Sequence, residues 1–208
     1  MKCLIANDKF HYRLYQSTII KTNHKKIISE INLSYDKFIK NLNNKDINTL
    51  AYSIHKNENN SFVSGISNVF SLMSPSILFH DLYAELRDVI KDYLGENKKL
   101  YVDCWLNYFH YDTEKILCWH THASSYHGYI SLDPQKSITD FGDYQINNEI
   151  GQIYIGLGNQ KHRVLCEKKH KTPRITIGFD VEDKNSLPDT APAYDVGGIA
   201  GFNMYPLI

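Results

Sequence analysis

Cysteine is scarce in this sequence and unpaired. Cys3, Cys104, Cys118 and Cys166 are the four among 208 residues, and none form a C-x-x-C pair. Zinc-ribbon and thioredoxin readings therefore lose their support. At this density a disulfide scaffold is not expected, and the four read as reduced, mostly buried thiols of a cytoplasmic protein. Net charge is also missing: 23 Lys and Arg balance 23 Asp and Glu. A broad electrostatic footprint for nucleic acid is absent, which leaves only local basic patches, the largest in 161–171. No stretch approaches the roughly 18 consecutive apolar residues of a membrane helix. The opening MKCLIANDKFHYRLY has no apolar run of the kind a signal peptide needs. Neither nucleic acid nor membrane is an expected partner.

What is present is globular. Hydrophobic residues make up 42% and aromatics 12%, with 15 Tyr, a richness that disordered chains lack. The length suits one sizeable core rather than two domains. The Asn-, Lys- and Ile-rich composition hints at an AT-rich viral or bacterial genome.

The chain divides by texture within one domain. Over 1–98 it reads as an early strand, Tyr12 to Ile20, followed by one or two amphipathic helices marked by Ile27, Ile28, Ile31, Phe38, Ile39 and Leu42. A loop follows at Asn57 to Ser61. A stronger helix has Ser74 as its cap, Pro75 in its first turn, and an apolar stripe of Leu78, Leu82, Leu86, Ile90 and Leu94, with Gly95 as its stop. Over 99–182, short runs of Tyr, Val, Ile and Trp alternate with turn residues. Strands are expected at Leu100–Phe109, Lys115–His120, Tyr126–Leu132, Gln152–Leu157, His162–Cys166 and Arg174–Val181, a spacing that argues a sandwich or barrel. The remainder, 183–208, reads as an extended or partly disordered arm.

The chemistry concentrates in the strand-rich part. His120 and His122 are two apart, and residues i and i+2 of a strand share a face. Both imidazoles could then approach one metal. His162 follows a strand and glycine turn, and twelve residues later Pro173-Arg174-Ile175-Thr176 leads the last apolar strand.

This order resembles the 2-oxoglutarate/Fe(II)-dependent dioxygenase superfamily, whose members carry His-x-Asp/Glu, a distal His and then an Arg or Lys. The resemblance implies a mostly β fold, a double-stranded β-helix over 99–182 of the jelly-roll or cupin type, buttressed by N-terminal helices. It implies Fe(II), 2-oxoglutarate and O2 as cofactor and cosubstrates. His120 and His162 would ligate the metal. Arg174, helped by Thr176, would hold the far carboxylate of 2-oxoglutarate, and Asn107 and Tyr129 would line the same pocket. Iron(II) suits ligands on one face of its octahedron, and a guanidinium binds a carboxylate through two parallel hydrogen bonds.

The family's second ligand is an acid, and here His122 stands in that place. Three readings stay open: a three-His site; His122 behind a two-His site; or an acid from elsewhere, such as Asp112 of His110-Tyr-Asp112, or Asp133. His127 is an active-site wall candidate, and Lys161, Arg163, Lys168 and Lys169 form a basic face near the site. The reaction expected is hydroxylation of a small molecule or peptide, and a homodimer is compatible. Two other classes stay open: a non-catalytic jelly-roll or cupin binding module, and a three-His dioxygenase that needs no cosubstrate.

Overall fold

The computed structural model describes residues 1–41, 62–63, 68–95, 100–109, 115–166, 170–183 and 205–207. Its elements, in chain order, are β1 (Lys2–Asn7), β2 (Tyr12–Gln16), α1 (Thr18–Asn41), β3 (Phe62–Val63), α2 (Val69–Leu72), α3 (Ile77–Leu94), β4 (Leu100–Phe109), β5 (Lys115–His120), β6 (Tyr126–Asp133), β7 (Ser137–Asp140), β8 (Gln145–Asn147), β9 (Gln152–Leu157), β10 (His162–Cys166), β11 (Arg174–Asp183) and β12 (Tyr205–Leu207). Two antiparallel sheets result. The larger runs β1-β2-β9-β6-β11-β4-β12, with β3 also on β4, and the smaller runs β5-β10-β7-β8. Gln135 and Lys136, at φ 54° and 57°, make the tight turn that carries the chain from β6 in one sheet to β7 in the other.

The period of two in the strands divides the larger sheet into two unlike faces. Cys104 and Leu106 of β4, Ile130 and Leu132 of β6, Ile153 and Ile155 of β9, and Ile175, Ile177, Phe179 and Val181 of β11 all belong to one buried apolar cluster. Ile20, Ile27 and Ile31 of α1 and Phe79, Leu82, Leu86 and Ile90 of α3 complete it. The helices thus buttress one face of the sheet. The alternate residues of the same strands are polar or aromatic, and this is the face on which the candidate site lies. Phe109 of β4 clusters there with Val164 and Cys166 of β10.

The early strand ends sooner than the sequence suggests. β2 stops at Gln16, and Thr18 to Ile20 open α1. Ser17 forces the change: its hydroxyl accepts from the Ile20 N–H at 3.1 Å, a helix cap that overrides the local β-propensity of Thr-Ile-Ile. Glu85 of α3 reinforces it, accepting from the Thr18 N–H at 2.9 Å and from the Ser17 hydroxyl. The helix α3 begins after Ser76, not Ser74, and the Ser76 hydroxyl bonds Glu30 rather than capping. Gly95 ends it at φ 68°, as expected of a left-handed stop. Of the cysteines, Cys104 and Cys166 are buried, whereas Cys3 and Cys118 are exposed, so the expectation of mostly buried thiols holds for half of them. Leu42, the loop 57–61, Asp112, Lys168 and Lys169 lie outside the described residues. No helix among the described residues is long and apolar enough to cross a membrane.

Candidate metal centre

The antiparallel pairing of β10 with β5 sets His162 directly opposite His120. Their rings lie 4.3 Å apart, centre to centre. His122 falls just past the end of β5, not within it, and is held there by its N–H donating to the Gly158 carbonyl at 2.9 Å. It still joins the pair: its ring centre is 5.2 Å from that of His120 and 5.5 Å from that of His162. One ligand atom from each of the three lies within 4.8 Å of the others.

The second ring nitrogens decide what this cluster can do. His120 Nδ1 faces the Cys118 carbonyl at 2.7 Å, and His162 Nδ1 faces the Gln160 carbonyl at 3.0 Å. A carbonyl only accepts, so each Nδ1 carries the proton and each Nε2 keeps a free lone pair. His122 Nδ1 faces Asp180 at 3.1 Å, and its Nε2 is buried with no hydrogen-bond partner among the described residues. All three rings are thus in the tautomer a metal requires. Burial, reinforced by neighbouring imidazoles, pushes His162 down to about 3, and burial also lowers His120. Both are neutral bases at physiological pH, ready to ligate.

Register explains what surrounds them. β11 has β6 on one side and β4 on the other, and the pairings His127–Asp180–Asp103, Tyr129–Gly178–Trp105 and Ser131–Thr176–Asn107 form three successive rows. In the first row, Asp180 also accepts from His127 Nδ1 at 2.8 Å. Burial would raise its carboxyl, but hydrogen bonds from His122 and His127 outweigh that and hold it well below the usual carboxylate range. Burial and the Asp180 charge push Asp103 up to about 7. His127 is lowered to about 4, chiefly by burial. In the second row, Trp105 lies nearly parallel to His122 and His127, 5.7 and 6.0 Å away.

At the start of β11, Arg174 is 2% exposed. Its Nε donates to the Ser137 hydroxyl at 3.1 Å and its Nη1 to the Thr176 hydroxyl at 3.4 Å, while Asn107 donates to Thr176 at 3.3 Å. Asn148 holds Ser137 and Thr139 from behind, each at 3.0 Å. No carboxylate among the described residues pairs with this guanidinium. Burial lowers it to about 10, so it remains a cation at neutral pH. Ser131 Oγ is buried in the same row as Thr176 and has no hydrogen-bond partner among the described residues.

The sequence candidates therefore separate into two groups: His120, His122 and His162 in one, and Arg174, Thr176 and Asn107 in another, with Tyr129 in the row between. Asp133 belongs to neither; it accepts from Gln135 at 2.8 Å at the far end of β6. Arg163 is paired with Asp140 at 2.7 Å and stacks on Trp119, so its charge is already engaged. Sequence reasoning passed over Asp180, Ser137 and Asn148. For Asp180 a signal existed, because Arg174, Thr176, Gly178 and Asp180 alternate onto one face.

No family model and no curated protein matches the chain by sequence. Solved structures match it by shape. SnoK, a non-heme alpha ketoglutarate dependent carbocyclase from nogalamycin biosynthesis, superposes with a TM-score of 0.59 at 8% identity, over 86% of this chain and 84% of that one. A full-length Neurospora crassa protein crystallised in complex with alpha-KG gives 0.55 at 11% identity, over 84% and 75%. EctD from S. alaskensis with bound Fe gives 0.54 at 15% identity, over 86% and 74%. The fold is the one these alpha-ketoglutarate- and iron-binding proteins share.

Proposed function

We propose that the protein is a non-haem iron(II) and 2-oxoglutarate-dependent oxygenase. The observation that carries this reading is Arg174. A fully buried guanidinium without a carboxylate is costly, and evolution rarely leaves one unless an anion arrives to pair with it. Here it sits on the polar face of the larger sheet, on the side where three histidines of the smaller sheet and its edge gather, whose Nε2 atoms have no hydrogen-bond partner among the described residues.

The strand order supports the same reading. Counting β4 to β11 as first to eighth, the larger sheet runs sixth-third-eighth-first and the smaller runs second-seventh-fourth-fifth. That order, with successive strands changing sheet except at β7 and β8, is the one expected of a double-stranded β-helix, and it would set the histidines between the sheets.

In this assignment His120, His122 and His162 hold iron(II) through Nε2, and Arg174 pairs with the distal carboxylate of 2-oxoglutarate. Thr176 and Tyr129 offer hydroxyls to the same carboxylate, and Asn107 orients Thr176. When bound, the iron and its cosubstrate supply the oxidation: 2-oxoglutarate and O2 are consumed, succinate and CO2 are formed, and one oxygen atom enters a substrate C–H bond. The chain's part is placement and exclusion of water. The Nδ1 acceptors fix ring orientation, the Arg174 row fixes the cosubstrate, and Trp105 walls the imidazoles on one side. The substrate we assign is a small molecule or a peptide side chain, in keeping with a chain of zero net charge.

The test is anaerobic titration of the purified protein with Fe(II) and 2-oxoglutarate. A weak visible charge-transfer band is expected, lost in Arg174→Met. Absence of the band in the wild-type protein overturns the reading. Oxygen uptake that needs iron but ignores 2-oxoglutarate would instead favour a three-His dioxygenase.

A further inference from the structure

We infer that Asp180 is a positioning residue for the metal: it holds His122 in the ligating tautomer and supplies, one step removed, the negative charge that an acid in the place of His122 would have given directly. His127 is the second donor that pins Asp180. This rests on the iron reading above.

The geometry leaves the carboxylate little freedom. Both Asp180 oxygens lie 3.1 Å from His122 Nδ1, and Oδ1 also lies 2.8 Å from His127 Nδ1. The two rings are stacked, 3.5 Å apart with planes 11° from parallel, so they approach the carboxylate side by side. An ionised carboxylate only accepts. It therefore requires a proton on both Nδ1 atoms and leaves His122 Nε2 as the bare lone pair. That Nε2 is buried and has no hydrogen-bond partner among the described residues. A neutral histidine that only packed would leave this acceptor unsatisfied, at a cost a metal ion would remove.

A metal could in principle sit instead among His122, His127 and Asp180, whose ligand atoms also lie within 4.8 Å of one another. The stacking argues against it. Imidazole lone pairs lie in the ring plane, and two parallel planes 3.5 Å apart cannot both aim at one ion. In the cluster of His120, His122 and His162, His120 is turned 62° from His122 and 55° from His162, and the nearly parallel His122 and His162 rings (8°) have centres 5.5 Å apart, so they do not lie face to face in contact as His122 and His127 do.

The charge count follows. Three neutral imidazoles leave iron(II) with its full double charge, and the adjacent Asp180 carboxylate returns the site to the total of a two-His, one-acid centre. The charge is displaced from the metal to the far side of an imidazole. Such carboxylate–histidine–metal arrangements orient the ligand and raise its basicity, and losing the outer partner costs about 10- to 100-fold in metal affinity.

The experiment measures Co(II) and anaerobic Fe(II) binding to the full chain, with proton NMR of the Co(II) form in water. Asp180→Asn keeps the shape but replaces one acceptor by a donor. With its oxygen at the Oδ1 position it still accepts from His127, but its NH2 then faces His122 Nδ1, which disfavours a proton there, and the negative charge is lost. We expect metal affinity to fall about 10- to 100-fold, one of three exchangeable contact-shifted ring N–H signals to vanish or move, and the metal-free melting temperature to stay near that of the wild type. A charge swap guards against a variant that fails to fold. His122→Asp alone would set two carboxylates together and bind poorly, and adding Asp180→Asn should restore binding above either single variant. Asp180→Asn binding within twofold of wild type, or a double variant no better than the singles, overturns the assignment. So does metal retained by His120→Ala and lost by His127→Ala. If the wild-type protein binds no Fe(II) at all, the functional reading itself fails. Wild-type binding that ignores Asp180 sinks only this inference.

Discussion

The Trp105 ring lies across the bare backbone of Gly178, its partner on the neighbouring strand: a Cβ on Gly178 would come within 2.5 Å of Trp105 Cε2. The glycine is needed for close approach, not for a special backbone angle. Because Trp105 also stacks on His122 and His127, Gly178→Ala should act in two places. Overpacking of this kind costs about 1–3 kcal/mol, and the displaced indole should loosen the imidazoles it lies against. We expect a lower melting temperature together with weaker Co(II) binding. Unchanged values of both would show that the ring has room to shift.

Arg174→Met should separate stability from function. The guanidinium is buried with no carboxylate partner among the described residues, and its hydrogen bonds go to the neutral hydroxyls of Ser137 and Thr176. Replacing a buried charge by an apolar side chain of similar volume is often neutral or stabilising, by about 1–4 kcal/mol. The variant is expected to melt at or above the wild-type temperature without ligand, to bind Fe(II) normally, and to lose 2-oxoglutarate affinity. A marked drop in metal-free stability would mean that the cation is paired in the resting protein and is not waiting for an anion.

Much of this was legible in the sequence, for a physical reason. The β4, β5, β9 and β10 bounds follow from dense β-branched and aromatic runs ended by turn residues, and they fall where expected. The short strands β7 and β8 do not, because their inward positions face the site: Ser137 and Thr139, and Asn148 just after β8, are buried for hydrogen bonding, and only Ile146 carries an apolar signal there. A strand that lines a polar chamber loses the alternation by which strands are recognised. His120, His162 and Arg174 stood out through order and spacing. Asp180 did not, although the alternation from Arg174 reaches it, because its role depends on β6 bringing His127 alongside, and cross-strand register cannot be read from one strand.

The buried histidines make the metal-free protein acid-sensitive. His127 is held at about 4 and His162 at about 3, both below the ordinary 6.5. A group whose folded value is depressed takes its proton first in the unfolded chain. Stability is therefore complete above about 6.5 and falls as pH drops through the window down to 4, by up to roughly 1.4 kcal/mol per pH unit for each group. Asp103 works the other way: raised to about 7 in the fold, it takes its proton there first and offsets about one histidine's share of the decline. Asp180, held well below the usual range, adds to the decline only near the acid end, where the unfolded carboxyl begins to protonate. Denaturant unfolding of the metal-free protein between pH 7 and pH 4.5 should show the decline, and His162→Gln should remove about one proton's share of it. A flat profile would contradict the neutral state assigned to these two rings.

Glu85 offers a control far from the chemistry. It is 7% exposed on α3 and accepts from the Thr18 N–H at 2.9 Å, the Thr18 hydroxyl at 3.0 Å and the Ser17 hydroxyl, while Ser17 itself caps the Ile20 N–H. One carboxylate thereby ties the start of α1 to α3, and both helices bury their apolar stripes against the larger sheet. Removing it strands the Ser17 hydroxyl, which is 0% exposed, and the first-turn N–H of Thr18. A lost cap costs about 1 kcal/mol and a stranded buried polar group about 1–3 more. Glu85→Ala should therefore lose on the order of 2–4 kcal/mol in denaturant unfolding, yet bind Fe(II) and 2-oxoglutarate as tightly as the wild type while folded. The helices sit on the opposite face of the sheet from the histidines, so the two readouts should part. Weakened ligand binding in the folded variant would mean that the buttress reaches through the sheet to set the site.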